Sequence, residues 1–118
     1  MNQEPDAHGG PLRRFKDPAY VPLCANLTEV RERIDALDAQ IVALLAERGR
    51  CVKDAARFKR DAFQVSAPAR QQQVLDKVRA LAERQGAYPE VVEAAYRALI
   101  AGFIAREQQD FNNMEDVA

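Results

Sequence analysis

The chain has no tryptophan, one histidine and two cysteines in 118 residues. The lone imidazole, His8, lies in a proline- and glycine-bearing lead-in, so neither a Ser–His–Asp triad nor a Cys–His pair has support. Cys24 and Cys51 show neither C-x-x-C nor metal-ligand spacing, and no metal is expected. Charge of one sign is also lacking. Lys and Arg total 17 against 18 for Asp and Glu, a net charge of −1, without the basic excess of a general nucleic-acid binder. No apolar run approaches the ~18 residues of a membrane-spanning helix, and no apolar segment resembling a signal peptide is present. These absences lead to the expectation of a cytoplasmic protein with reduced thiols and no nucleic-acid or membrane partner.

Strand signals are missing too: there are no alternating β-branched runs and no Asn-Gly or Asp-Gly turns. What is present is 47% hydrophobic and 30% charged sequence, enough for one folded domain of this length. Residues 1–26 read as an extended or disordered arm, because four of the six prolines fall before residue 23. From Leu27 the apolar residues Val30, Ile34, Leu37, Ile41 and Leu44, then Val52, Ala55 and Phe58, recur in helical steps. Asn26 caps this stretch with Glu29 three residues on, and the first helix is expected from about 27 to about 62, roughly 50 Å. A second helix opens at Ser66-Ala67-Pro68, turns Val74, Val78 and Leu81 inward and stops at Gly86. A third opens at Tyr88-Pro89 and carries Val92, Ala95, Tyr96, Leu99 and Phe103, leaving 111–118 as a frayed tail. The expected fold is all-α, with three helices and one very long first helix. Two short helices cannot cover so long a stripe, so an intertwined helical homodimer is expected.

Polar residues interrupt the stripes at three places. Arg48 takes the slot after Leu44 where another apolar residue is due, and Lys59 follows 11 residues later. On one continuous helix the pair would share a face, roughly 16 Å apart along the axis. They either snorkel and pair with carboxylates, or converge on a small anion. Arg31, about 25 Å before Arg48, could reach such a pocket only from an antiparallel partner helix. Glu107 continues the inward stripe of the third helix, where a carboxyl is paired, protonated or at a frayed end. Cations without a nucleophile suit a di-anionic substrate whose reaction needs only positioning and electrostatic stabilisation.

The string LTEVRERIDALDAQIVALLAERGRCVKDAARFK, with Ala67-Pro68-Ala69-Arg70, resembles the all-helical chorismate mutase family over about 27–110. The matching positions are Arg31, Ile34-Asp35, Asp38, Leu44-Leu45, Arg48 and Lys59. The resemblance implies an intertwined dimer, no cofactor, and the rearrangement of chorismate to prephenate. It assigns Arg31 of the partner chain and Arg48 to the substrate carboxylates, Lys59 to the ether oxygen and Arg70 to the carboxylate end of the pocket. Three positions depart from the family pattern. Glu107 stands where a glutamine commonly meets the ether oxygen, with Gln108 beside it, and must carry a proton to donate. Gln71 replaces a glutamate that meets the substrate hydroxyl, and Ala67 replaces an aspartate. The wording Ala-Arg-Phe-Lys and Ala-Pro-x-Arg is similar to the isochorismate-pyruvate lyase branch, so the substrate is chorismate or isochorismate. Mutase is the first expectation and lyase the second. A non-catalytic helical dimerisation module is the reading of another class.

Overall fold

The computed structural model describes residues 3–117 and is helical throughout its regular structure. Its elements are α1 (Leu27–Ala55), a 3₁₀ turn (Ala56–Phe58), α2 (Ala62–Ser66), α3 (Pro68–Gln85) and α4 (Pro89–Asn112). The chain divides into two compact units, with the boundary after Ala46 inside the α1 sequence.

α1 starts as its sequence dictates. Asn26 Oδ1 accepts from the Glu29 amide at 2.9 Å, and Glu29 Oε2 accepts from the Ala25 amide at 2.8 Å. Two amides that the helix cannot satisfy are thereby paired. The stretch preceding it is tied down locally: the Thr28 amide and hydroxyl both donate to the Ala7 carbonyl at 3.0 Å.

The other end of α1 corrects the expectation of a helix to residue 62. The α-helix stops at Ala55, a single 3₁₀ turn follows, and Lys59 is extended at φ −103°, ψ 144°. The cause lies in the next residues. Asp61 caps α2 by accepting from the Gln64 amide at 2.9 Å, while Gln64 Oε1 accepts from the Arg60 amide at 2.7 Å. This is a second Asp/Asn-x-x-Glu/Gln cap, and it starts a new helix where periodicity alone continues the old one.

Pro68 occupies the first turn of α3, as expected, with its missing N–H at a position that has no helical acceptor. Gly86 ends α3 at φ 73°, and its amide reaches the Ala82 and Glu83 carbonyls. Within the second unit α4 packs against α3, α2 and the 3₁₀ turn. The buried apolar residues there are Ala56, Val65, Leu75, Val78, Ala82 and Ile100. α3 thus buries Leu75 and Ala82 rather than Val74 and Leu81; Val74 is half-buried and Leu81 is 38% exposed. The inward face is rotated because α3 turns Val74 toward the cavity described next.

Candidate active site

The cavity lies within the second unit, holds about 320 Å³, and has Arg48, Lys59, Arg70, Gln71 and Glu107 in its wall. Five of the six residues singled out from the sequence therefore come together around one space. Arg31 does not line it; that residue belongs to the first unit and is exposed.

Each side chain arrives from a different element. Arg48 stands on α1, Lys59 on the extended residue after the 3₁₀ turn, Arg70 and Gln71 on the first turn of α3, and Glu107 on α4. Arg48 and Lys59 thus meet by a helix break, not by sharing one helical face. Lys59 Nζ donates to Glu107 Oε2 at 3.2 Å, and their side chains are 22% and 4% exposed. Glu107 is the one buried charged residue among the described residues, and Lys59 is its counter-ion. A carboxylate so far from water needs that partner.

Gln108 faces elsewhere. Its Nε2 donates to the Ala62 carbonyl at 2.9 Å, which ties α4 to the start of α2. Helix 4 therefore turns Glu107, not Gln108, to the cavity. Gln71 Nε2 donates to the Ser66 carbonyl at 2.6 Å, one of the carbonyls left open at the end of α2. Arg70 is exposed, with Nη1 at 3.4 Å from Gln73 Oε1. Ala67 also lines the cavity and sits in the left-handed region at φ 45°, ψ 59°, where it ends α2 and begins α3.

Sequence reasoning missed the surroundings of Arg48. Its Cζ lies 5.2 Å from the Phe103 ring centroid and 5.7 Å from that of Tyr96. Gly49 makes room for one of these rings: a Cβ at that position would come within 3.1 Å of Phe103 Cε1. The signal was present as two aromatics seven residues apart on α4, but such spacing reads equally as plain core.

Apolar walls that carry Arg48, Lys59, Arg70 and one buried acid define a helical domain with a cationic cavity of small-molecule size. The comparisons give that class its family. Residues 30–108 match the family model for chorismate mutase type II, and the chain belongs to that family. It is 34% identical over 84 residues to an isochorismate pyruvate lyase of Pseudomonas aeruginosa, covering 71% of this chain and 83% of that protein. It is 29% identical over 84 residues to a chorismate mutase of Methanocaldococcus jannaschii, covering 70% of this chain and 85% of the relative.

Proposed function

We propose that this protein is a chorismate mutase, an isomerase that converts chorismate to prephenate. The observation that carries the reading is the convergence of Arg48, Lys59 and Glu107 on one cavity in a chain of this family. The rearrangement is intramolecular: the ether C–O bond breaks while a C–C bond forms, and negative charge grows on the ether oxygen. The rearrangement itself moves no proton to or from the reacting atoms and forms no covalent intermediate, so charges and a shaped wall suffice. Arg48 grips one carboxylate with its planar fork. Lys59 donates to the ether oxygen as it gains charge, and Glu107 donates to the same oxygen in its neutral form. Substrate binding therefore replaces the Lys59–Glu107 pairing of the free chain. Arg70 supports the carboxylate end, and Gln71 offers the substrate hydroxyl an amide.

The second carboxylate is assigned to Arg31 of a second copy in a homodimer. Support comes from α1, where Ile34, Leu37, Ile41 and Leu44 are each about half exposed or more, at 49%, 54%, 51% and 64%. Their spacing forms one stripe of the kind that helices bury against helices. A cytoplasmic setting completes the reading. Among the described residues no helix is long and apolar enough to cross a membrane.

Isochorismate-pyruvate lyase stands second, favoured by the 34% identity to a lyase. The non-catalytic module stands third, since the chain belongs to a family named for an enzyme. Incubating the protein separately with chorismate and isochorismate, and following prephenate, salicylate and pyruvate, tests all three. Prephenate alone supports the mutase. Salicylate and pyruvate from isochorismate, without prephenate from chorismate, replace it with the lyase. No turnover of either rejects both enzymes.

A further inference from the structure

The geometry points to Tyr96 and Phe103 as a clamp that sets the position of the Arg48 guanidinium, with Gly49 as the gap that admits the Phe103 ring. The two aromatics are seven residues apart on α4, about 10.5 Å along its axis. Arg48 Cζ is nearly equidistant from both ring centroids, at 5.7 and 5.2 Å, within reach of a cation–π attraction to each. Phe103 lines the cavity and Tyr96 does not, so Tyr96 acts on the substrate only through Arg48. Glycine at 49 is otherwise unfavourable, because a helix interior prefers alanine. Its place here follows from the ring: an alanine Cβ would stand 3.1 Å from Phe103 Cε1 and force the ring to shift. An arginine on a long flexible stem has many rotamers to lose on gripping a carboxylate, and two rings remove that freedom before the substrate arrives.

The inference rests on the proposed use of Arg48 as a carboxylate ligand. A group that grips a carboxylate unaltered by the reaction acts on ground and transition states alike, so its misplacement appears in KM. Tyr96→Leu is expected to raise KM for the active substrate about 3- to 30-fold, with kcat changed less than about 3-fold. Tyr96→Phe, which keeps the ring, restores KM to within about 2-fold. Gly49→Ala tests the gap from the other side. Alanine is the better helix former, but its Cβ meets Phe103 Cε1 at 3.1 Å, so the ring must shift by a few tenths of an ångström and KM is expected to rise in the same way. A second readout needs no turnover: the Arg48 Nε–H proton resonance carries a ring-current shift that Tyr96→Leu reduces and Tyr96→Phe retains. Unchanged KM in both Tyr96→Leu and Gly49→Ala, or a resonance indifferent to the ring, overturns the clamp. A wild-type protein inactive on chorismate and isochorismate instead overturns the function, and the resonance alone then judges the clamp.

Discussion

The two units of this chain solve opposite problems. From Glu47 onward, short helices fold back on one another, and each buried apolar residue among those described lies there, as does the cavity. Before that boundary no described residue is buried, although the α1 stripe there is as regular as any in the sequence. The second unit can therefore be stabilised by its own sequence, whereas the stripe of the first has apolar area still to remove from water. At ~25 cal/mol per Å² such a stripe is a strong incentive for association. In the proposed reading chemistry and assembly are written in different halves, and Arg31 is the residue that would connect them.

The largest effect is expected at Lys59, in the second unit. Lys59→Ala is expected to lower kcat/KM by three orders of magnitude or more, upwards of ~4 kcal/mol in barrier, since in the proposed mechanism the ammonium meets charge that exists only in the transition state. This variant also leaves the 4%-exposed Glu107 without its counter-ion, and stranding a buried charge costs about 3–5 kcal/mol of stability. Glu107→Gln added to it removes the stranded charge, so the double variant should regain most of the stability and none of the activity. Urea unfolding beside steady-state kinetics measures both; near-normal turnover in Lys59→Ala contradicts the placement of the reacting atoms.

The division of labour is sharpened by mixing variants. Arg31→Ala and Arg48→Ala are each expected to be severely impaired as separate preparations. Unfolded and refolded together, they form mixed dimers in which one of two sites has both arginines, returning about a quarter of wild-type activity. No recovery, or a stable active monomer in sedimentation, contradicts the shared site. Ile41→Lys, at the centre of the exposed stripe, should give monomers that retain the second unit's helicity and lack turnover.

How far the sequence carried this picture depends on the period being read. Helical steps of three and four marked α3 and the start of α4 within a residue, because Pro68, Gly86 and Pro89 punctuate them. The same steps ran through residues 56–62 unbroken, because Ala55, Phe58 and Ala62 keep the rhythm. Only the local chemistry of Asp61 and Gln64, a cap strong enough to interrupt it, marks the break. Arg48 and Lys59 were legible as misplaced cations, and Glu107 as a misplaced acid. That Glu107 and not Gln108 turns to the cavity depended on the register of one helix packing on another, which no single helix encodes. The rings around Arg48 were illegible for the reason that aromatics on a helix usually mean core.

Smaller effects separate the neighbours Glu107 and Gln108. Glu107→Gln keeps a donor toward the ether oxygen and retains turnover. Gln108→Ala should leave turnover alone and cost about 1 kcal/mol of stability through the lost bond to Ala62. A crippled Gln108→Ala beside a normal Glu107→Ala reverses the assignment.

The smallest effect is expected at Ala67. Its backbone sits at φ 45°, ψ 59°, a conformation in which a Cβ crowds the chain and which glycine adopts freely. Ala67 is also the cap residue of α3 without a side-chain hydrogen bond, and alanine is poorer than glycine at that position. Against these gains stands the larger conformational entropy of glycine in the unfolded chain, about 0.4–1 kcal/mol. The strain and cap terms are together slightly larger, so Ala67→Gly should raise stability by less than about 1 kcal/mol in urea unfolding. The site gives that small number its meaning. Ala67 bears no group that could meet a substrate, yet it holds the junction from which Gln71 reaches back to Ser66 and Arg70 enters the cavity wall. A glycine there stabilises the fold while loosening that junction, so KM should rise modestly as the unfolding midpoint increases. Loss of stability would instead mean that the left-handed turn costs this chain nothing.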